Sequence, residues 1–246
     1  MAIELSIIIP AFDEEHRIEE PLRKVFEFVD ARKLDSEIIV VDDGSEDATA
    51  KVAEKVADSF PQIPSKVIRY QKNRGKGFAV RTGLEAATGD IALFSDADLS
   101  TPIEEYSKLI EPIQNGEFDV TFGSRALDRS LIDKRQPWRR EQGGKVFNLF
   151  VRTLTRLPFW DTQCGFKAFN LKKFRKLLPK MQIEGFGFDV EFLYVANQHG
   201  LRLMEIPVRW NNDERTKVSI FRDSIRMFNE VREIRKNAKL GKYEIN

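Results

Sequence analysis

The first 124 residues alternate short apolar runs with amphipathic stretches, and that alternation restricts the chain to few folds. Leu5-Ser6-Ile7-Ile8-Ile9 is nearly continuous in apolar residues and stops at Pro10, as a strand buried on both faces does. Ile18, Leu22, Val25, Phe26 and Val29 then recur at helical spacing. The pattern repeats with a strand over 37–41, a helix with Ala48, Val52, Val56 and Phe60 on its apolar face, and a weaker strand over 66–70. A helix over 77–87 closed by Gly89, a strand over 91–94, a helix opening at Pro102 and a strand over 119–123 complete the series. Ser45 is placed to cap the second helix. Strand–helix repetition at this spacing predicts an α/β fold, a mostly parallel central sheet flanked by helices. Ligands of such sheets bind beyond the carboxyl ends of the strands.

The second half is less regular. Helices are predicted over 144–157, 190–197 and 221–236, the first and last amphipathic, with a strand over 203–208. No repeat or clean linker interrupts the 246 residues, so one domain is expected, 1–124 forming one half and 125–246 the other. The net charge of +1 excludes a polycation built for nucleic acid. Charge is nevertheless uneven: residues 125–176 hold fourteen basic and four acidic side chains, a local surplus suited to an anionic partner. The single cysteine, Cys164, cannot form an internal disulfide and reads as packing rather than nucleophile. His16 and His199 read as ordinary surface residues.

Four polar turns fall where the first four strands should end. They are Pro10-Ala11-Phe12-Asp13-Glu14, Asp42-Asp43-Gly44-Ser45, Asn73-Arg74-Gly75-Lys76-Gly77 and Asp96-Ala97-Asp98. In an extended segment, residues two apart point the same way, so Asp96 and Asp98 can face one point. Two close carboxylates repel unless a cation lies between them, and hard oxygens suit Mg²⁺ or Mn²⁺. Lys76, among glycines at a helix start, suits a phosphate. Acids for a base and a metal, beside a cation for phosphate, describe a nucleotide-diphosphate pocket.

This set of turns resembles family 2 glycosyltransferases of the GT-A fold. Gly123-Ser124-Arg125, Asp161 to Lys167, Phe188-Asp189-Val190-Glu191, Ile206-Pro207-Val208 and Lys217-Val218 narrow the likeness to dolichyl- or polyprenyl-phosphate β-glucosyltransferases and their mannosyl relatives. The resemblance implies a GT-A nucleotide-sugar-binding fold, with Pro10, Ala11, Asp13, Glu14 and Asp43 around base and ribose. It sets Lys76 and Arg81 near the diphosphate, and Asp96 and Ala97 near ribose and sugar. Asp98, with Asp96, is the implied ligand of Mg²⁺ or Mn²⁺. The resemblance also implies that Arg125, Arg139, Arg140 and Lys217 hold the acceptor's phosphate, and it leaves Asp161 and Asp189 as a base or as orienting groups.

The implied reaction moves glucose from UDP-glucose to a polyprenyl phosphate with inversion. The alternatives are a GDP-mannose-dependent polyprenyl-phosphate mannosyltransferase, a family 2 transferase acting on a glycan hydroxyl, and a non-catalytic nucleotide- or lipid-binding module. Met1-Ala2-Ile3-Glu4 leads straight into the first strand, and no apolar run reaches the length of a spanning helix. Val146, Leu149, Phe150, Leu154 and Leu157, continuing into Phe159-Trp160, form an apolar strip beside Lys145, Arg152 and Arg156. Such a strip suits a helix lying among lipid headgroups or, equally, a core helix with solvated basic residues. A cytoplasmic protein, peripheral on the cytosolic face of a membrane, is the expectation.

Overall fold

The structure, a computed structural model, describes residues 3–134, 138–211 and 220–245, with backbone alone for 134, 138–141 and 220–224. Its strands are β1 (Leu5–Ala11), β2 (Ser36–Asp42), β3 (Ser65–Arg69), β4 (Ile91–Ser95), β5 (Val120–Ser124), β6 (Ile132–Lys134), β7 (Phe166–Asn170), β8 (Leu203–Pro207) and β9 (Trp210–Asn211). Its helices are α1 (Glu19–Arg32), α2 (Thr49–Asp58), α3 (Lys76–Ala86), α4 (Tyr106–Gln114), α5 (Trp138–Thr155), α6 (Leu171–Phe174), α7 (Phe188–Gln198) and α8 (Ile220–Lys239). Seven strands form one sheet in the order β3-β2-β1-β4-β7-β5-β8, while β6 and β9 pair separately.

The sheet is parallel except at β7, which runs antiparallel to both β4 and β5. This is the α/β architecture expected, with strands from both halves of the chain in one sheet. Every residue of β1 and β2 is buried. Alternate residues nonetheless serve different layers: Ile8 joins α3, α5, α7 and α8 on one face, and Ile7 and Ile9 join α1, α2 and α4 on the other. A continuous apolar run is what two covered faces require.

Two local expectations are corrected, and one strand is new. Ser45 does not cap α2, whose N-cap is Ala48, a residue with no side chain to cap it; the Ser45 hydroxyl instead accepts the Asp13 N–H at 2.9 Å. Gly89 does not close α3, which ends at Ala87 in an extended conformation. Its missing Cβ instead admits Ser6 of β1, whose hydroxyl accepts the Gly89 N–H at 2.9 Å. β7 was not foreseen, because Lys167 and Asn170 break what would otherwise read as an apolar run.

Candidate active site

The carboxyl ends of β1, β2 and β4 converge on four stitched loops. Pro10 and Ala11 are the last residues of β1. Asp13 adopts a left-handed φ of 51°, and its Oδ1 accepts the Glu46 N–H at 3.0 Å. The Glu14 N–H donates to Thr49 Oγ1 at 2.7 Å, and the Glu14 carboxylate pairs with Arg17. Asp43 is buried and accepts four bonds, from Tyr70 Oη (2.6 Å), Asn73 Nδ2 (2.9 Å), and the N–H groups of Arg74 (2.9 Å) and Gly75 (2.8 Å). Four acceptances saturate a carboxylate. Asp43 is thus the tie that fixes the loop delivering Lys76.

The start of α3 is not an open anion site. Gly77 and Phe78 donate their N–H groups to the Glu184 carbonyl, at 2.8 and 3.2 Å. Gly75, at φ 113°, lies so close to that carbonyl that a Cβ would strike it. Lys76 alone projects from this helix end, and its Nζ sits 2.6 Å from Asp96 Oδ1. Burial by itself would depress the ammonium; the charges of Asp96, Asp189 and Asp98 outweigh that and raise its pKa.

Asp96 and Asp98 do come together, though not by strand pleating. The Leu99 N–H donates to the Asp96 carbonyl at 3.1 Å and closes a turn, with Leu99 at φ 48° and Ala97 packed against the core beneath. Asp96 is held from the adjacent strand, its N–H donating at 3.0 Å to the carbonyl of Gly165, just before β7. A Cβ on Gly165 would occupy the space of the Asp96 carboxylate. Replacing Gly165 with Ala should therefore displace Asp96 from Lys76 and cost about 10²-fold in turnover, with far-ultraviolet circular dichroism unchanged. Asp98 accepts the Ser100 N–H at 2.9 Å. Burial, then repulsion from Asp96, raises its pKa.

Two further acids complete the cluster, each already paired. Asp189, in the first turn of α7, lies 2.6 Å from Nζ of Lys167, whose side chain is 0% exposed. Burial raises the Asp189 pKa despite Lys167 and Lys76. Asp161 grips Arg125 by three bonds, from its N–H (3.0 Å), Nε (2.7 Å) and Nη2 (2.8 Å). Burial works against the Asp161 carboxylate, but Arg125 outweighs it and holds the pKa low. Arg125 is raised in turn, chiefly by Asp161 against the effect of burial, with Asp96 close enough to contribute.

Arg81 is not brought to this group: it donates to the Met181 carbonyl at 2.6 Å, further along α3. Arg139 and Arg140 stand in the first turns of α5, where only backbone is described, and Lys217 lies outside the described residues. Glu191 is a structural group, accepting the Gln182 and Ile183 N–H groups (2.8 and 3.0 Å) and the Tyr243 hydroxyl (2.7 Å). Burial, with Asp161 nearby, pushes the Cys164 thiol up to about 11, which removes it as a nucleophile. His16 pairs with Glu15 at the surface, and His199 donates to the Tyr243 carbonyl.

Sequence reasoning missed Lys167 and Glu205 as parts of this site. Each is a lone charge inside a strand-length apolar run, and that was the available signal. The arrangement offers two poles: Lys76 with Asp96 and Asp98, and Arg125 forked by Asp161. Asp98 fits a hard dication shared with a phosphate ligand, since Mg²⁺ commonly takes one or two carboxylates beside substrate phosphate. Among the described residues no group of three or more His, Cys, Asp or Glu side chains forms a complete metal cage.

Comparison with known proteins identifies the family and the fold. The model of the family described as "Glycosyl transferase family 2" matches residues 6–178. A dolichyl-phosphate beta-glucosyltransferase of Dictyostelium discoideum is 33% identical over 99% of this chain and 77% of its own. The Homo sapiens protein of the same name is 33% identical over 89% of this chain and 70% of its own. Among solved structures, Mycobacterium tuberculosis glucosyl-3-phosphoglycerate synthase, crystallised with Mn²⁺, UDP-glucose and phosphoglyceric acid, superposes with a TM-score of 0.69. It is 20% identical, over 95% of this chain and 80% of that one, a likeness of fold. With its GT-A sheet, its stitched strand-end loops and a family match across most of its length, the chain belongs to glycosyl transferase family 2.

Proposed function

We propose that the protein transfers glucose from UDP-glucose to a polyprenyl phosphate of the dolichyl type, inverting the anomeric centre. The glucosyl group and the dolichyl-type acceptor follow the names of the relatives above. One observation carries the reading from the site itself: both aspartates available as a base, Asp161 and Asp189, are already paired with cations. An acceptor phosphate has a second pKa near 6 and arrives largely ionised. It needs cations for positioning, not a base for activation. A glycan hydroxyl would need the base that is not free here.

In this reading the chain is one domain, in which residues 1–124 hold the donor and residues 125–246 the acceptor. Lys76 meets the diphosphate, and Arg125 presents the acceptor phosphate to the anomeric carbon. Asp98, with Asp96, would hold Mg²⁺ or Mn²⁺, which when bound offsets the charge gathering on the departing diphosphate. Attack from the face opposite the leaving group turns an α-linked donor into a β-linked product. The test is transfer with UDP-glucose or GDP-mannose as donor, and a short polyprenyl phosphate or a glycan as acceptor. A β-glucosyl phospholipid formed with UDP-glucose supports the reading; transfer confined to GDP-mannose or to a hydroxyl acceptor overturns it.

The acceptor's lipid implies a membrane surface, although no helix among the described residues is long and apolar enough to cross one. Of the apolar strip, Leu157 is buried, and Phe150, Leu154 and Phe159 pack against the core beside Phe147 and Val151. Val146 (62% exposed), Leu149 (64%) and Trp160 (55%) face outward. The Arg152 guanidinium lies 4.0 Å from the centre of the Trp160 ring. Apolar groups beside cations suit an anionic headgroup layer, on the cytosolic leaflet in this reading. Replacing Leu149 with Asp should lower partitioning onto phosphatidylserine vesicles at low salt by about tenfold, read by co-sedimentation. Equal binding by both proteins contradicts the surface.

A further inference from the structure

Glu205 is a carboxylate on β8 that makes no ion pair among the described residues, yet it sits at a junction of the site. The register sets Glu205 opposite Phe122 of β5, so Ser124, two residues on, shares its side of the sheet. The Ser124 hydroxyl donates to Glu205 Oε1 at 2.6 Å. The same hydroxyl accepts the N–H groups of Ala126 (3.2 Å) and Leu127 (3.3 Å), which shapes the turn carrying Arg125. Across the cleft, Glu205 accepts the Trp160 N–H through Oε2 at 2.8 Å and the Asp161 N–H through Oε1 at 2.7 Å. One carboxylate therefore ties together the two segments whose side chains form the Asp161–Arg125 fork.

We infer that Glu205 is a positioning residue for the acceptor phosphate, acting through Asp161 and Arg125. Electrostatics argues against any direct role, because a third negative charge beside Arg125 repels an anionic acceptor. What Glu205 supplies is geometry. Its four lone-pair directions accept two backbone N–H groups and one hydroxyl, a set that a neutral amide, with a single acceptor oxygen, cannot reproduce. With both segments fixed, Asp161 takes the Arg125 N–H, Nε and Nη2, and the three remaining guanidinium N–H donors are aimed together rather than sampled. The inference rests on the proposed acceptor chemistry, and the test separates the two.

The experiment measures KM for donor and acceptor, with kcat, in Glu205→Gln, Ser124→Ala and Arg125→Lys, and in each of the first two combined with the third. Glu205→Gln should raise the acceptor KM about tenfold and move the donor KM by less than about twofold. Ser124→Ala removes one of the ties and should raise the acceptor KM about threefold. On Arg125→Lys, which keeps the charge but has no fork to aim, either change should add less than about twofold. Equal rises in both KM values, no rise, or full multiplication on Arg125→Lys each overturns the inference. Should Glu205→Gln fail to fold, Ser124→Ala and its coupling to Arg125→Lys decide the matter by the same criteria. If Arg125→Lys alone leaves the acceptor KM unchanged, it is the acceptor reading that fails. Amide hydrogen exchange then still tests Glu205: at least one of the Trp160 and Asp161 amides should exchange about tenfold faster in Glu205→Gln, and unchanged exchange at both defeats the tie.

Discussion

Replacing Asp98 with Asn should abolish transfer and, in metal-free protein, raise the melting temperature above that of the parent. The two effects have one cause. Asp98 ionises in a half-buried turn against Asp96, and its pKa is raised by that burial and that repulsion. A carboxyl whose folded pKa lies above its unfolded value is stabilising only while protonated, so stability falls as pH rises through the folded pKa. At neutral pH the native state carries that cost, and the amide does not. Each kcal/mol relieved is worth about 2–4 °C in a chain of this size. Adding Mn²⁺ should raise the melting temperature of the parent and leave Asp98→Asn unmoved, because only a carboxylate answers the dication. Turnover should fall by about 10³-fold or more. Retained activity, or a Mn²⁺ shift that survives the substitution, removes Asp98 from the metal assignment.

Lys167→Met should be the most destabilising single change near the site. The lysine is fully buried on β7, 2.6 Å from Asp189, and also donates to the Cys164 carbonyl. Removing one partner of a buried pair leaves an uncompensated charge and costs about 3–5 kcal/mol. At about 2–4 °C for each, the melting temperature should drop by about 10 °C. The loss carries a pH signature. The Asp189 pKa is already raised by burial, and without Lys167 it rises further, so the deficit should shrink in mild acid and grow toward neutrality. Lys167→Met with Asp189→Leu should regain most of the stability while remaining inactive, because an apolar pair of similar volume has no charge to strand. A double variant no more stable than the single one would contradict this account, and thermal melts at pH 5 and pH 7 decide it.

What the sequence disclosed and what it hid divide along physical lines. β1, β2 and β4 were legible because strands covered on both faces are continuous in apolar residues. The four strand-end turns were legible from their Asp, Asn, Gly and Pro punctuation. Which residue holds which was not. The acids at 96, 98, 161 and 189 all stood out, but sequence could not say that Asp161 would close on Arg125, 36 residues away, or Asp189 on Lys167. Those pairings follow from the antiparallel entry of β7 and the register of β5 with β8, which no local pattern encodes. Asp43 shows the same limit: its carboxylate reads as a ligand group, yet all four of its bonds go to the protein. The strip on α5 divided by exposure, the larger part serving the core.

The antiparallel strand has a consequence for how the molecule is made. β7 fills the gap between β4 and β5, so a ribosome must extend the chain to residue 170 before β4 gains its second neighbour. Until then Ile91 to Ser95, wholly buried in the finished protein, borders an open edge able to recruit another chain. Synthesis at about 5–20 residues per second leaves that edge uncovered for several seconds. The nascent amino-terminal half is thus a natural client for chaperones, and a truncated version of it would tend toward aggregation. Asp96, docked on the Gly165 carbonyl, gains its final place only when the same late segment arrives.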